Sequence, residues 1–144
     1  MNLQLKCLPA AEFSTKKHPA CMQSTEAFPC LTFPFFKRMI INYYAIIEGD
    51  EEKGLVFHNK LMSPFRSLAD ADWSLLIYNK YQREGLGTEV IKMICGNKPD
   101  PLFMVPDRNH KSLAFFCQSS LSELQPFISR STKWHIFKHT KNHE

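Results

Sequence analysis

The chain has 144 residues, of which 44% are hydrophobic and 22% charged, and this is the length and balance of one ordinary globular domain. That composition excludes a disordered tail, a collagen-like repeat and a low-complexity linker. Eighteen basic against fourteen acidic side chains leave a net charge of +4, which suits an anionic small ligand and is too small to indicate a nucleic-acid partner. We therefore expect one domain over residues 1–144.

The cysteine pattern favours an intracellular protein. The five cysteines are an odd number and include no Cys-x-x-Cys pair, so they offer neither a disulfide framework nor the ligand spacing of a zinc site. Reduced thiols are typical of the cytoplasm, which is where we expect the protein to act, without a metal. No apolar run approaches the roughly 20 residues of a membrane span, so no membrane partner is expected.

The first half of the chain predicts a strand and a hairpin. Residues 2–8 alternate apolar and polar side chains, which is typical of a half-buried strand. Residues 9–38 contain four prolines and scattered aromatic residues, which indicates short helices and loops. The segments 40–48 and 55–60 are rich in β-branched and aromatic residues, and the charged stretch 49–54 between them predicts a turn, so the two segments should form a hairpin.

The second half alternates strands and helices. Residues 73–78 are apolar nearly throughout, which predicts a central strand. A helix is predicted at 88–95, where Val90, Ile91 and Ile94 share one face, and it should end at Gly96-Asn97. The elements that follow are a strand at 102–105, a helix at 109–118, and strands at 127–128 and 134–137. The strand–helix–strand succession predicts a parallel crossover in an α/β or α+β fold.

The segment between the central strand and its helix carries the chemistry. Gly85 and Gly87 have no Cβ, so backbone N–H groups there can approach a ligand closely, and the helix start adds free donors and the positive end of its dipole. These features predict an anion cradle of a size for phosphate or pyrophosphate. A Walker loop is excluded because Thr88-Glu89 follows Gly87, and a dinucleotide fingerprint is excluded because Val90 stands where its third glycine belongs.

Two motifs point to a known family. The segment Gln82-Arg83-Glu84-Gly85-Leu86-Gly87 matches the pattern Gln/Arg-x-x-Gly-x-Gly/Ala at every fixed position. Downstream, Asn109, Ser112 and Phe115 match the pattern Asn-x-x-Ala/Ser-x-x-Phe. On these residues the chain resembles the Gcn5-related N-acetyltransferase (GNAT) superfamily over roughly residues 40–121, with motif A at 73–95 and motif B at 102–121.

The resemblance implies a fold and an activity. The fold is a central mixed, mostly antiparallel sheet of six to seven strands, flanked by about four helices and splayed between the fourth and fifth strands. The activity is that of an acyltransferase enzyme, which moves an acetyl group from the cosubstrate acetyl-CoA to a primary amine of a small molecule, peptide or protein by direct attack in a ternary complex. Its partners would be acetyl-CoA and the amine acceptor, and it could form a homodimer.

The resemblance also implies roles for particular residues. The backbone N–H of Ile77 would stabilise the oxyanion. The amine must lose a proton before or during the attack, and by position Asp72, Glu48 and Asp70 are all candidate bases. The residues expected to bind the cofactor are Leu76, Ile77, Tyr78, Gln82, Arg83, Glu84, Gly85, Leu86, Gly87, Thr88, Asn109, Ser112 and Phe116.

Other interpretations of these residues remain open at this point. The two glycines could simply close a strand–helix turn, and Asn109 could serve as a helix cap. Phe116 stands where the family commonly has a Tyr whose hydroxyl protonates the departing CoA thiolate. Because Phe cannot donate that proton, an alternative function is an acyl-CoA-binding sensor or partner-binding module with little or no turnover.

Overall fold

The computed structural model describes residues 2–14, 16–20, 39–98 and 100–139. Within these residues, seven strands form one sheet: β1 (Leu3–Pro9), β2 (Ile40–Glu48), β3 (Glu51–Lys60), β4 (Ala71–Ile77), β5 (Leu102–Pro106), β6 (Ser122–Ser129) and β7 (Thr132–Lys138). Their order across the sheet is β1-β2-β3-β4-β5-β7-β6, and every neighbouring pair is antiparallel except β4 and β5. The expected mixed, mostly antiparallel sheet of six to seven strands is confirmed.

The described residues hold two α-helices, α1 (Leu86–Asn97) and α2 (His110–Cys117), and short 3-10 turns at Ala10–Glu12, Phe65–Ser67 and Asn79–Tyr81. About four helices were expected, and most of the segment predicted to contain short helices, residues 21–38, lies outside the described residues. α1 connects β4 to the parallel β5, so the predicted crossover is confirmed. Neither helix of the described part is long and apolar enough to cross a membrane.

The β2–β3 hairpin is tighter than the sequence predicted. β3 begins at Glu51, so a two-residue turn replaces the predicted turn over 49–54, and Gly49 adopts a φ of 62°, which suits a residue without a Cβ. The charged residues continue the strand because their side chains find partners in the folded sheet. Lys53, for example, lies 2.5 Å from a carboxylate oxygen of Glu48.

Helix α1 also has different ends from those predicted. It begins at Leu86 and not at residue 88, because Gly85 forms its N-cap in the left-handed conformation. It continues through the predicted stop to Asn97, whose side-chain Nδ2 donates a hydrogen bond to the carbonyl oxygen of Met93 at 2.7 Å. Beyond the helix end, the N–H of Lys98 donates to the carbonyl oxygen of Ile94 at 2.9 Å, which satisfies one of the carbonyl groups that a helix C-terminus leaves free.

The last two strands are longer than the apolar runs at 127–128 and 134–137 indicated. β6 lies at the edge of the sheet and most of its side chains are exposed, so apolar periodicity does not mark its first half. Its register shifts between Leu124 and Phe127, around Pro126, which has no N–H to donate to the ladder.

β4 and β5 pair at one point only. Trp73 lies opposite Phe103, and no further residue of β4 is paired with β5. This confirms the predicted splay between the fourth and fifth strands. Among the described strands, none pairs with the edge of β4 beside Leu75 and Ile77, and a cleft opens there.

Hydrophobic cores lie on both faces of the sheet. On the face covered by α1 and α2, the predicted inner residues of α1 are buried against strand residues, namely Val90, Ile91 and Ile94 against Trp73 and Phe103. The other face carries a second core that the N-terminal segment covers, formed by Phe13, Tyr43, Phe57, Leu76 and Tyr78. β4 therefore contributes to both cores, as expected for a central strand.

A buried polar network holds the N-terminal segment on this second face. His18, which is 2% exposed, has its Nδ1 2.9 Å from Oε2 of Glu52 and its Nε2 2.9 Å from the hydroxyl of Tyr43. The hydroxyl of Tyr78 donates to the same Glu52 oxygen at 2.7 Å. Because Tyr78 directly follows β4, the network ties residues 16–20 to the strand that borders the cleft.

His135 connects three parts of the C-terminal half. Its Nδ1 lies 3.0 Å from Oε2 of Glu123, and its Nε2 lies 2.7 Å from Oδ1 of Asp107. The hydrogen bonds with Glu123 and Asp107 raise the pKa of His135, and the bond with His135 lowers the pKa of Asp107. The His135 imidazole therefore links β6, β7 and the loop after β5, and its protonated form is favoured by both carboxylates.

We expect His135→Gln to lower the free energy of unfolding by about 1 kcal/mol at pH 5.5. A pKa raised on folding gives a stabilisation that is complete below the unfolded pKa of about 6.5 and is lost as the pH rises through the folded value. The cost of the substitution should therefore shrink toward pH 9, as measured by urea unfolding. In an Asp107→Asn/Glu123→Gln background this pH dependence should vanish, and a cost equal at both pH values would contradict the charged bridge.

Candidate functional site

A cleft of about 340 Å³, a volume typical of small-molecule sites, lies at the C-terminal end of β4. Three groups of residues line it, from the strand, from the following turn with the start of α1, and from α2: Leu75, Leu76 and Ile77; Tyr81, Gln82, Arg83, Gly85, Leu86, Gly87 and Thr88; and Lys111, Ser112, Phe115 and Phe116. The structure thus brings together all the residues predicted to bind the cofactor except Tyr78, Glu84 and Asn109.

The backbone hydrogen bonds of β4 decide which residues face the cleft. The N–H of Tyr78 donates to the carbonyl oxygen of Lys53 beside β4 at 3.0 Å. In an antiparallel pair, alternate residues direct both N–H and C=O to the partner strand. Leu76 therefore directs its N–H and C=O to β3, and Tyr78 directs its N–H there, whereas the Tyr78 carbonyl accepts from the N–H of Tyr81 at 2.9 Å. Leu75 and Ile77 direct their backbone groups to the cleft. Of Leu76, Ile77 and Tyr78, the three residues predicted to contact a ligand, Ile77 is the one whose amide faces the cleft.

The turn between β4 and α1 contains two residues in the left-handed conformation. Arg83 has a φ of 70° and Gly85 a φ of 79°. For a residue other than glycine this conformation costs about 1–2 kcal/mol, and such strain concentrates at ligand sites. The first N–H groups of a helix have no partner within it, and Leu86, Gly87 and Thr88 of the first turn all line the cleft. The turn therefore has the backbone geometry that an anion cradle requires, and anion binding there stays a prediction.

Gly87 is needed for a different reason from Gly85. A Cβ on Gly87 would lie 2.9 Å from Cζ and 3.1 Å from Cε1 of Phe115, which is too close for any other residue unless the ring moves. A Cβ on Gly85 would meet nothing within 4 Å, so at that position the positive φ is what requires glycine. One glycine sets the turn, and the other lets Phe115 of α2 form the wall of the cleft.

The charges around the cleft favour an anion. Among the residues that line it, the charged ones are Arg83 and Lys111, and both are cations. The acid within the motif, Glu84, does not line the cleft, and its Oε1 lies 3.4 Å from Nζ of Lys53. The cleft thus presents free helix amides and two cationic side chains to a ligand.

Lys53 contacts the turn between β4 and α1 without lining the cleft. It is 9% exposed, and its Nζ lies 2.5 Å from Oε1 of Glu48 and 4.9 Å from the centre of the Tyr81 ring, besides its contact with Glu84. The hydrogen bond with Glu48 raises the pKa of Lys53, which keeps the ammonium charged. The sequence analysis placed Lys53 in a charged turn and gave it no role at the site, because its partner Glu84 is too distant along the chain for a local pattern to connect them.

Asn109 and Phe116, which both belong to motif B, differ in position: Asn109 lies outside the cleft and Phe116 lines it. The side chain of Asn109 accepts a hydrogen bond from the N–H of Ser112 at 3.2 Å, so it caps α2, and it does not line the cleft. Phe116 is 7% exposed, lines the cleft and packs on Phe103 and Phe137 with ring centroids 5.3 Å away in each case. At position 116 the cleft is therefore lined by an aromatic ring without a hydroxyl.

The three candidate bases lie in different environments, and none of them lines the cleft. The side chain of Asp70 is 94% exposed. The hydrogen bond from Lys53 lowers the pKa of Glu48, which makes that carboxylate a weaker base. Asp72 is 8% exposed, and its burial raises its pKa to about 7, although a hydrogen bond from Asn59 acts against the shift. Asp72 is thus the candidate that exchanges its proton near neutral pH.

Comparisons by sequence find no matching family model and no matching curated protein. Comparisons by structure do find matches. A probable GNAT-family acetyltransferase from Chromobacterium violaceum superposes with a TM-score of 0.67 at 13% identity, covering 96% of this chain and 83% of that one. An acetyltransferase from Agrobacterium tumefaciens gives a TM-score of 0.65 at 15% identity, with 96% and 91% covered.

A putative acetyltransferase from Salmonella typhimurium, solved with its cofactor acetyl-CoA, gives a TM-score of 0.59 at 10% identity, and covers 100% of this chain and 97% of that one. Likeness at these identities establishes the architecture of the chain. This protein has the GNAT fold, as the resemblance of its two motifs implied.

We expect Gly85→Ala to lower the free energy of unfolding by about 1 kcal/mol, because an L side chain disfavours its φ of 79°. Gly96 offers a matched control, since it lies within α1 and a Cβ there would meet nothing within 4 Å. Gly96→Ala should raise the free energy of unfolding by about 0.5–1 kcal/mol through helix propensity. Urea unfolding measures both, and stabilisation by both substitutions would disprove the strain at Gly85.

Proposed function

We propose that the protein is an acetyl-CoA-dependent N-acetyltransferase. The observation that carries the proposal is the cleft, where a strand edge that pairs with no other described strand leads to a helix N-terminus whose first amides have no partner within the helix. CoA has the matching groups in the matching order, since its pantetheine amides can pair with a strand edge and its pyrophosphate suits a helix N-terminus. The fold shared with solved GNAT acetyltransferases, one of which holds acetyl-CoA, supports the same function.

In the proposed complex, the amides from Arg83 to Thr88 bind the pyrophosphate, and pantetheine lies along the edge formed by Leu75 and Ile77. The N–H of Ile77 donates to the thioester oxygen, and such a donor contributes about 3 kcal/mol in the transition state. The amine nitrogen attacks the thioester carbon, the new C–N bond forms, and the C–S bond breaks to release the CoA thiolate. Phe115 and Phe116 form the apolar wall that excludes water.

The proton of the amine needs an acceptor, and we assign it to Asp72. A pKa of about 7 is suited to general-base work at neutral pH. Asp72 lies on the same face of β4 as Ser74, because alternate strand residues share a face. The Oγ of Ser74 accepts a hydrogen bond from Nδ2 of Asn59 at 3.0 Å. We propose that the proton reaches Asp72 along this face, with Ser74 between the carboxyl and the cleft.

The departing sulfur needs little help from an acid. A thiol pKa near 8.5 makes the thiolate a tolerable leaving group at neutral pH. Phe116 nevertheless has no proton to give, and this observation favours a second candidate function, that of an acyl-CoA-binding module with little or no turnover. Both functions require the same cleft, so they differ in chemistry and not in binding.

Acetyl-CoA and CoA should bind the wild-type protein in isothermal titration calorimetry. Gly87→Val should weaken that binding at least about tenfold, because the added side chain collides with Phe115 at the start of α1. Gly96→Val is the matched control, since the same substitution there meets open space in the same helix. Unchanged affinity in a folded Gly87→Val variant would contradict the assigned site.

Release of free thiol from acetyl-CoA in the presence of a panel of primary amines separates the two candidate functions. Turnover with at least one amine supports the acetyltransferase. Tight CoA binding without thiol release across the panel favours the binding module. A folded wild-type protein that binds no CoA would contradict both.

Asp72→Asn should lower turnover about tenfold or more without changing CoA affinity, and should remove the acidic limb near pH 7 from the rate–pH profile. It should also raise the free energy of unfolding by about 1–3 kcal/mol above pH 7 and leave it unchanged below pH 4. At low pH the Asp72 carboxyl is neutral in the folded and in the unfolded protein, so it does not affect stability there. At higher pH the buried carboxyl must ionise, which disfavours the folded state. Asp70→Asn, at an exposed side chain, should change neither quantity. A stability gain with unaltered turnover would make Asp72 a buried structural acid.

A further inference from the structure

The side chain of Gln82 spans the mouth of the cleft. Its Nε2 donates to the carbonyl oxygen of Ile77 at 3.2 Å and to Oδ1 of Asn79 at 3.1 Å. Its Oε1 accepts a hydrogen bond from Nζ of Lys111. Ile77 is the last residue of β4, and Lys111 lies in the first turn of α2, so one carboxamide joins the two sides of the cleft.

Both of these partners are groups that a ligand could use. The carbonyl of Ile77 lies on the stretch of the β4 edge that pairs with no strand among the described residues, because the alternate residue Leu76 directs its backbone groups to β3. A backbone carbonyl away from water needs a donor from some source. Lys111 is one of the two cations that line the cleft. Gln82 thus occupies a strand acceptor and a cation at the same time.

We propose that the side chain of Gln82 competes with CoA for the Ile77 carbonyl and for Lys111, an inference that rests on the proposed function. A pantetheine amide offers the Ile77 carbonyl an N–H donor, as Nε2 of Gln82 does, and a phosphate offers Lys111 an oxygen acceptor, as Oε1 does. Binding of CoA replaces both contacts. Gln82 is therefore an internal competitor that sets the affinity, and Lys111 is a phosphate-binding cation that Gln82 holds in place until the ligand arrives.

The proposal predicts that removal of the Gln82 side chain increases the affinity for CoA, although Gln82 lines the cleft. Affinity is reduced by the fraction of molecules in which the binding groups are already occupied, so removal of the competing side chain increases affinity. A hydrogen bond of this kind corresponds to a factor of roughly three to ten. Truncation of a side chain that contacts the ligand would weaken binding instead.

The test measures dissociation constants for CoA, for pantetheine and for adenosine 3′,5′-bisphosphate by calorimetry. Gln82→Ala should bind all three about three- to tenfold more tightly than the wild type. Gln82→Glu separates the two contacts, because its carboxylate has no N–H for Ile77 and holds Lys111 more firmly through charge. Pantetheine should therefore bind more tightly to Gln82→Glu, and the bisphosphate more weakly. Gln118→Ala, at an exposed glutamine beyond the end of α2, is the control and should bind as the wild type does.

The outcomes separate this inference from the function on which it rests. If the wild type binds CoA and Gln82→Ala binds it equally or more weakly, the inference is overturned and the proposed function stands. If the wild type binds none of the three probes, the proposed function fails and the inference fails with it.

Discussion

The divergence of β4 from β5 is the constraint on which the site depends. The two strands pair where Trp73 lies opposite Phe103, and beyond that pair the backbone groups of Leu75 and Ile77 have no partner strand in the described part of the chain. Proteins normally cover or blunt such an edge. Here the turn after β4, the start of α1 and the side of α2 enclose the edge without filling it. The groups that the sheet leaves unpaired are therefore the groups that a ligand can use.

Close packing between the two helices gives the cleft its shape. Phe116 packs on Phe103 and Phe137 in the core, and the ring of Phe115 lies where Gly87 has no side chain. Because protein interiors are close-packed, a larger residue at position 87 must displace the ring. The same contact thus positions the helix N-terminus and the aromatic wall relative to each other, which couples the anion cradle to the apolar part of the cleft.

One ion pair and one hydrogen bond support the turn between β4 and α1, and neither involves a carboxylate that lines the cleft. Lys53 holds Glu84 near the end of the turn, and Glu52 accepts from Tyr78 at its beginning. Support of this kind matters because Arg83 occupies a left-handed conformation that is unfavourable for its residue type. The hairpin that supplies Lys53 and Glu52 is consequently part of the site's framework, although no ligand would touch it.

Local sequence was sufficient to predict the strands, the two helices and the glycine turn, because apolar periodicity and the freedom of glycine act over a few residues. Local sequence was insufficient to decide which of Leu76, Ile77 and Tyr78 directs its amide into the cleft, since that depends on the pairing of β4 with β3. It was also insufficient for the candidate bases: Asp70 and Asp72 lie two positions apart, yet one side chain is 94% exposed and the other residue 8%. Register and burial arise from contacts between segments far apart in the chain, and no local pattern contains them.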